Sequence, residues 1–386
     1  MPAANHRRFR RAFGRGEVPR GNMGKSARLG GATCPILRRH RLEQIGRGAG
    51  RNWVPAHPSC YTFPATLFRF TALRGNPMLR HSFIALSHSG AMQRFVTGFP
   101  PARRMARRFV AGEERDEALS VIRALNQAGL LATVDFLGEH VTEREAARAN
   151  AGEYLTLLDE LARHDLQAGI SLKLSAMGLH VDTAFCLENM REIVARARER
   201  RRFVRIDMEE SALVDTTLDL YRQLRREFDN VGTVLQAYLF RTRNDLAALI
   251  EEGIADIRLV KGAYDEPASI AWQERRKIQE ELADLCRMML SADARARHAR
   301  LALGSHDDVV YNAVIAHALR EGLAPDSWEL QFLYGIRRNE QRRLVAAGQR
   351  MRIYVPYGHS WYPYFMRRLA ERPANLLFFL RALVGD

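Results

Sequence analysis

Few cysteines, few lysines and no long apolar run characterise this 386-residue sequence, and each absence argues against a class of protein. The four cysteines, Cys34, Cys60, Cys186 and Cys286, show no CxxC spacing, which disfavours a disulfide framework and a cysteine-based zinc site. No run of 18 or more apolar residues is present, so a conventional membrane-spanning helix is not expected. GxGxxG, P-loop and HExxH patterns are also missing, which leaves Rossmann-type, kinase-type and zinc-protease sites without support.

Lysine is scarce in a chain that is otherwise rich in basic residues. Only Lys25, Lys173, Lys261 and Lys277 stand among the 59 basic side chains, and the others are arginine. Where a generic cation suffices, this sequence uses arginine. The compact ammonium groups at positions 173 and 261 therefore indicate a specific requirement.

A basic N-terminal segment accounts for most of the net charge of +15. Residues 1–77 contain 15 basic and two acidic side chains, with seven of the 14 prolines and ten of the 27 glycines. Such a composition buries too little apolar surface to offset the entropy of ordering it. The segment could be a nucleic-acid-binding arm, an organelle presequence, or a disordered extension upstream of a true start at Met78. We favour the extension and expect no nucleic acid partner.

Short apolar, β-branched runs alternate with helical stretches from about residue 132, a pattern typical of parallel βα units. Strands are predicted at Ala132–Phe136, Gly169–Leu174, Phe203–Met208, Thr233–Ala237, Asp256–Val260, Arg300–Ser305, Trp328–Leu333 and Arg350–Val355. Helices are predicted, for example, at Glu143–Arg163, Ala184–Arg200, Thr216–Phe228 and Ala271–Leu290. Eight strands, each followed by a helix, predict an α/β fold of the closed (β/α)8 TIM barrel type.

Three segments follow from this pattern. Residues 1–77 form the disordered basic extension, and residues 132–386 form the catalytic barrel. Between them, residues 78–131 are predicted to form an N-terminal helical cap, with helices around Ser82–Leu86 and Glu117–Ala128.

Polar side chains occupy inward-facing positions near the C-terminal ends of the predicted strands. In Ile170–Ser175, Ser171, Lys173 and Ser175 share the face opposite the apolar residues, so Lys173 is expected inside the barrel. The other inward or mouth-end polar residues are Asp207, Gln236, Arg258, His306, Gln331 and Tyr354. Barrel interiors are normally filled by aliphatic residues, so this set predicts a site at the C-terminal mouth of the barrel.

The helix after the eighth strand has a polar stripe suited to an anion. It is predicted to begin near Pro363 and end before Pro373, with Tyr364, Arg367, Arg368 and Glu371 on one side. Guanidinium groups bind a carboxylate in a two-pronged manner, and a tyrosine ring supplies an apolar wall. The combination suits a small amphipathic carboxylic acid.

Eight motifs in this order resemble those of the proline dehydrogenase family, and the resemblance covers about residues 78–386. They are Asp135-Phe-Leu-Gly-Glu139, Ser171-Leu-Lys-Leu-Ser175, Asp207-Met-Glu-Glu210, Gln236-Ala-Tyr238, Arg258-Leu-Val-Lys-Gly-Ala-Tyr264, Gln331-Phe-Leu-Tyr-Gly335, Tyr354-Val-Pro-Tyr-Gly358 and Tyr364…Arg367-Arg368…Glu371. The monofunctional bacterial enzymes are the nearest in pattern. The family implies a distorted (β/α)8 barrel that holds FAD and oxidises L-proline to Δ1-pyrroline-5-carboxylate.

The resemblance also implies roles for single residues. The expected catalytic residues are Asp207 and Arg258. The expected substrate-binding residues are Lys173, Tyr354, Tyr364, Arg367, Arg368 and Glu371, of which Glu371 would hold the arginines in place. The expected FAD-binding residues are Met208, Gln236, Val260, Lys261, Gly262, Ser305 and His306. No metal is implied.

Two departures from the family pattern concern the cofactor side only. Ser305-His-Asp307 stands where many members have Thr-His-Asn, and Asp265 stands where some have an aromatic residue that stacks on adenine. The family usually passes electrons to a membrane quinone, and transfer to oxygen is the alternative that the sequence leaves open. We expect a cytoplasmic enzyme, with peripheral contact at the inner face of the cell membrane as an open expectation.

A different reading of the same barrel is an aldolase or other lyase that uses Lys173 as a Schiff base. A colourless purified protein, or trapping of the substrate by borohydride, would favour that reading.

Overall fold

The computed structural model describes residue 96 and residues 98–370. Among these residues, eight parallel strands form a closed barrel in the order β1 to β8. The strands are β1 (Leu131–Phe136), β2 (Ala168–Leu172), β3 (Val204–Ile206), β4 (Val231–Gln236), β5 (Asp256–Val260), β6 (Arg300–Gly304), β7 (Glu329–Leu333) and β8 (Met351–Tyr357).

Helices connect successive strands and surround the barrel. They are α1 (Pro100–Ala106), α2 (Arg115–Gln127), α3 (Arg144–Arg163), α4 (Thr183–Glu199), α5 (Val214–Glu227), α6 (Thr242–Glu251), α7 (Arg275–Leu290), α8 (Ala292–Ala296), α9 (Asp308–Arg320), α10 (Arg338–Ala346) and α11 (Trp361–Ala370). Two short 3₁₀ helices, Leu174–Met177 and Ser211–Leu213, follow β2 and β3. The prediction of a closed α/β barrel is confirmed.

All eight predicted strands are present, and their ends differ from the prediction by at most two residues. The helix predicted at Ala271–Leu290 begins later, at Arg275. The reason is that Ala271 pairs with Leu239 in an isolated antiparallel bridge, and the Trp272 amide donates to the Tyr238 carbonyl. Periodicity alone could not show that these residues belong to a loop over the mouth.

The apolar core lies between the outer faces of the strands and the helices. Ile170 and Leu172 of β2 and Ile257 and Leu259 of β5 are fully buried in this layer. Because side chains alternate across a strand, the intervening positions point into the barrel, and there the residues are mostly polar or small. Most of the apolar surface is thus buried between the strands and the surrounding helices, which leaves the barrel interior available for charged groups.

The described part of the N-terminal segment contributes α1 and α2. A capping box between Glu114 and Glu117 starts α2, and its buried residues Ala118 and Ile122 join the main core beside β1 and β8. α1 packs instead in a second apolar cluster with α11. The predicted extension 1–77 and the helix predicted around 82–86 lie outside the described residues, and the boundary of the cap stays a prediction.

Within the described residues no helix has the length and apolarity needed to cross a membrane.

Candidate active site

Six strands present polar side chains to the C-terminal mouth of the barrel. Strand registers place neighbouring residues side by side, as for Asp135 beside Ser171 and Gln331 beside Gly304. The residues that converge are Asp135, Ser171, Lys173, Asp207, Arg258, Gln331 and Tyr354. The structure therefore brings together most of the inward-facing set predicted from strand alternation. Asp135 joins it without having been predicted, whereas Gln236 and His306 contact other loops.

Lys173 follows β2 directly and is buried among carboxylates. Its Nζ lies 3.2 Å from Asp135 Oδ2, 3.9 Å from Asp207 Oδ2 and 4.0 Å from Glu139 Oε1. Burial alone would lower the pKa of this ammonium, but the surrounding carboxylates outweigh burial and raise it. Lys173 is therefore a fixed cation and not a neutral amine. A Schiff-base lysine requires a lowered pKa, so this environment argues against the lyase reading.

Asp207 accepts hydrogen bonds from three directions. Its Oδ1 accepts hydrogen bonds from the Ser171 hydroxyl and from Arg258 Nη1, both at 2.7 Å. Its Oδ2 accepts one from the Tyr354 hydroxyl at 2.8 Å. These bonds fix the carboxylate between the two buried cations, Arg258 and Lys173. Asp207 links β2, β3, β5 and β8 at one point.

Arg258 spans the centre of the barrel. Its Nε donates to Gln331 Oε1 at 2.5 Å, and its guanidinium lies 5.4 Å from the centre of the Tyr354 ring. Burial lowers the pKa of Arg258, while Asp207 raises it. A guanidinium stays charged far above neutral pH, so the site contains a permanent cation at its centre.

The helix α11 carries two adjacent arginines, of which Arg367 reaches the loop after β1. Arg367 donates to Glu139 through both terminal nitrogens, at 2.5 and 3.0 Å. The guanidinium of Arg368 lies 5.3 Å from the centre of the buried Tyr364 ring. The predicted stripe is therefore present as far as the structure describes it, whereas Glu371 and Pro373 lie outside the described residues.

The apolar side of α11 holds the helix in place. Phe365, Met366 and Leu369 are buried together with Phe109, which follows α1, and with Leu137, which follows β1. Pro363 is the third residue of the helix, which agrees with the predicted first-turn position. Packing on this side leaves Arg367 facing Glu139 at the barrel mouth.

Glu139 and Asp135 were quoted in the sequence motifs but received no role there. Burial would raise the pKa of Glu139, but Arg367 and Lys173 together lower it, so the carboxylate stays ionised. The signal that could have identified both acids was Lys173 itself, since a buried lysine needs a carboxylate partner. Tyr264 was missed as well: burial raises its pKa, and Glu139 and Glu209 raise it further.

The residues expected to bind the cofactor lie on the β4–β6 side of the mouth. Gln236 pairs with Val260, and Val260 pairs with Gly304, so the ends of these three strands form one row. Lys261 and Gly262 follow Val260, while Ser305 and His306 follow Gly304. The expected cofactor-binding residues therefore share one edge, apart from Met208, which is buried just after β3.

Two glycines let this edge pack tightly, and the exposed lysine beside them suits the phosphates of a flavin nucleotide. Gly262 has φ of +122°, and a Cβ there would collide with the Tyr238 ring, so only glycine allows this close backbone approach. A Cβ at Gly304 would lie 2.8 Å from Val260 Cγ1. Lys261 is exposed and offers a cation suited to phosphate.

Two other members of this edge are engaged with the protein itself. The Gln236 amide donates to the Glu209 carbonyl at 2.9 Å and accepts from the Ala263 amide at 3.1 Å. His306 Nε2 accepts from the Leu333 amide at 2.9 Å. Both side chains tie neighbouring loops together, so they shape the edge whether or not they also contact a ligand.

Comparison with known proteins agrees with this arrangement. The family profile "Proline dehydrogenase" matches residues 118–381. Proline dehydrogenase 1 of Bacillus subtilis (strain 168) is 37% identical over 307 residues, which cover 80% of this chain and 99% of the relative. Proline dehydrogenase of Deinococcus radiodurans is 36% identical over 285 residues, covering 72% of this chain and 90% of the relative.

A solved structure shares the fold. The crystal structure of proline utilization A (PutA) from Bdellovibrio bacteriovorus, inactivated by N-propargylglycine, superposes with a TM-score of 0.66 at 23% identity. The match covers 76% of this chain and 36% of that one, and at this identity the likeness shows the fold alone. The family profile and the sequence identities to full-length relatives together show that the chain belongs to the proline dehydrogenase family.

Proposed function

We propose that this chain oxidises L-proline to Δ1-pyrroline-5-carboxylate with FAD as cofactor and a quinone as the final electron acceptor. Membership of the family implies proline as substrate and a flavin as cofactor. The observation that carries the proposal is the convergence of Lys173, Asp207, Arg258 and the Glu139–Arg367 pair at one end of one barrel.

The proline carboxylate would be bound by Arg367 and Arg368, with Lys173 as the third cation. Glu139 supports this assignment because it bridges Arg367 on α11 and Lys173 on the barrel. The outermost carboxylate of the network thus orients the two cations from which a substrate anion would receive its hydrogen bonds. Glu371, whose role follows from the family resemblance, remains part of the proposal.

Two tyrosines would enclose the pyrrolidine ring. The Tyr354 hydroxyl is held by Asp207, and the Tyr364 ring lies against Arg368, so each ring has a fixed orientation. A ring fixed in advance loses little conformational freedom when the substrate binds. Positioning of the amino acid between these faces is the contribution expected from the protein, because it removes part of the entropic barrier.

Arg258 and Asp207 would act next to the reacting centre. Arg258 supplies a buried cation that stabilises negative charge on the cofactor, and Asp207 keeps that cation in place. Val260, Lys261, Gly262, Ser305 and His306 would contact the ribityl and phosphate groups, with Met208 and Gln236 at the ring system. When bound, FAD supplies the oxidant that accepts the hydride from proline C5, leaving a C=N bond in the product.

A cytoplasmic enzyme that donates electrons to a membrane quinone has to contact the membrane surface. One exposed patch supports such a contact: Phe240, Ile270 and Trp272 are 43%, 37% and 37% exposed, and Lys277 Nζ lies 5.0 Å from the Trp272 ring. Aromatic rings beside a cation are typical of membrane interfaces. Co-sedimentation with anionic vesicles should be lost in Trp272→Ser and kept in the exposed-residue control Leu319→Ser; equal sedimentation of both variants would contradict the contact.

The visible spectrum of the purified protein tests the reaction class. We expect a yellow protein whose flavin absorption bleaches when L-proline is added without oxygen. A colourless protein that cannot be reconstituted with FAD, or a flavin that proline does not reduce, would overturn the proposal.

Arg368→Ala tests the assignment of the carboxylate site. We expect a large increase in the KM for proline with the flavin content unchanged. Arg338→Ala is the matched control, because Arg338 lies 5.2 Å from the Tyr334 ring just as Arg368 lies against Tyr364. Loss of FAD from Arg368→Ala with normal binding of proline analogues would contradict the assignment.

A further inference from the structure

Three potential metal ligands meet on the loops that follow β1, β2 and β3. They are His140, His180 and Glu210, and one ligand atom of each lies within 4.8 Å of the others. The two histidines are exposed and Glu210 is half-buried. None of the three residues takes part in the proposed proline or flavin site.

The backbone of these loops is held together beneath the cluster. Ser175 follows β2. Its hydroxyl accepts a hydrogen bond from the His140 amide at 3.3 Å, and its carbonyl accepts one from the Val141 amide at 3.2 Å. The same residue donates its amide at 3.0 Å and its hydroxyl at 2.5 Å to the buried Glu209 carboxylate. Ser175 therefore fixes the residues adjacent to two of the three ligands, so the cluster does not depend on free loops meeting by chance.

The side chains above this base are arranged for a shared ligand. The rings of His140 and His180 lie parallel, at an interplanar angle of 9° with centres 5.7 Å apart. The Glu210 carboxylate has no hydrogen bond or ion pair with any other residue in the described part of the chain. The two stacked imidazoles and the carboxylate, which has no other polar partner in the described residues, thus lie close enough to share one ion.

We propose that His140, His180 and Glu210 bind one divalent transition metal ion of the zinc class, with water in the fourth position. Two nitrogens and one oxygen are a common donor set for zinc, whereas magnesium and calcium prefer oxygen alone. Ligands of a tetrahedral zinc ion stand about 3.3 Å apart, given bond lengths of about 2.0–2.1 Å. The exposed histidines can close the remaining distance by side-chain rotation.

Such an ion would join three loops at the entrance of the barrel. His140 directly follows Glu139, which holds Arg367, and Glu210 directly follows Glu209, which holds Ser175. Metal binding would therefore stabilise the loops that position the outer part of the proposed proline site. This inference does not rest on the proposed oxidation, because the ligands are outside that machinery.

Zinc binding to the flavin-loaded, full-length protein without a polyhistidine tag tests the site. After treatment with a chelator, we expect calorimetry near neutral pH to show a zinc site that raises the midpoint of thermal unfolding. His180→Asn and Glu210→Gln should each weaken this site by roughly 30-fold or more, since each removes one of three protein ligands. Magnesium at the same concentration should not compete.

A matched control separates this cluster from other histidines of the chain. His164 lies 3.6 Å from Glu160, and the described residues place no third ligand beside this pair, so His164→Asn should bind zinc like the parent protein. His140→Asn provides a second loss variant, and an unchanged far-ultraviolet circular dichroism spectrum shows that each variant is folded. Absence of zinc binding at about 100 μM, or equal affinity in the parent, His180→Asn and Glu210→Gln, would overturn the proposal.

Discussion

Glu139→Gln removes the charge that connects α11 to the barrel while it keeps the size of the side chain. In the structure this carboxylate accepts hydrogen bonds from both terminal nitrogens of Arg367, and its Oε1 lies 4.0 Å from Lys173 Nζ. A glutamine can accept through one oxygen only, and its NH2 group faces a donor. We therefore expect Arg367 to lose its fixed orientation and proline to bind less tightly.

The expected magnitude follows from the burial of the pair. The side chains of Arg367 and Glu139 are 24% and 17% exposed, so part of the interaction is screened by solvent. A hydrogen bond between charged groups contributes about 1.5–3 kcal/mol, and a displacement near 1 Å at an active site costs about 100-fold in rate. We expect kcat/KM for proline to fall roughly 10- to 100-fold, mainly through KM.

Glu153→Gln is the matched control for this experiment. Glu153 accepts two nitrogens of Arg115 at 2.8 and 2.6 Å, and these side chains are 19% and 31% exposed. The pair is likewise two-pronged but joins α2 to α3, and Glu153 Oε1 also accepts a hydrogen bond from the Tyr357 hydroxyl at 2.6 Å. Steady-state kinetics and thermal unfolding should show both variants destabilised and only Glu139→Gln with a raised KM. A KM for Glu139→Gln within twofold of the parent would refute the reasoning and leave Glu139 as a structural ion pair.

Three further results are expected. Lys173→Met should lower kcat/KM roughly 100-fold while flavin absorption is retained, and a loss below about fivefold would contradict a role in binding. Tyr354→Phe removes a charge-assisted hydrogen bond to Asp207 that contributes about 1.5–3 kcal/mol. The effect of this substitution on kcat/KM should therefore be smaller in an Asp207→Asn background, and additive effects of the two substitutions would show that the groups are not coupled. Burial would raise the pKa of Glu329, but Arg352 outweighs it and lowers the pKa to about 2. The ionised Glu329 carboxylate contributes fully to the free energy of unfolding above its ordinary pKa of 4.5, and this contribution is lost as the pH falls through about 2. Glu329→Gln should therefore flatten the pH dependence of the free energy of unfolding in this range.

The strands could be predicted because their outer faces have a strong signal. In β2 and β5, aliphatic residues alternate with polar or small ones, and this alternation identifies both the strand and the side that faces the helices. The start of α7 could not be predicted from periodicity. It depends on the bridge between Leu239 and Ala271, a tertiary contact between two loops.

The candidate site was predictable where strand parity decides the direction of a side chain. Lys173, Arg258 and Tyr354 are inward because their neighbours in sequence are buried outside. Glu139 was not predictable in this way, since it lies three residues beyond the end of β1 in a loop without a period. Its direction is set by Arg367, which is more than two hundred residues away in the sequence.

The interior of the barrel contains two polar layers, and only one of them requires a functional explanation. At the lower level, Arg205 donates to Asp256 and to backbone carbonyls, and Gly232 makes room for it, since a Cβ there would lie 2.5 Å from Arg205 Nη1. That layer satisfies itself with side-chain and backbone partners. Buried ion pairs are weak evidence for stability, because apolar residues of similar size often serve a fold as well or better. The upper layer is bonded within the protein too, but it places Lys173 and Arg258 beside Asp207 at the open end, where the same charges can also reach a ligand.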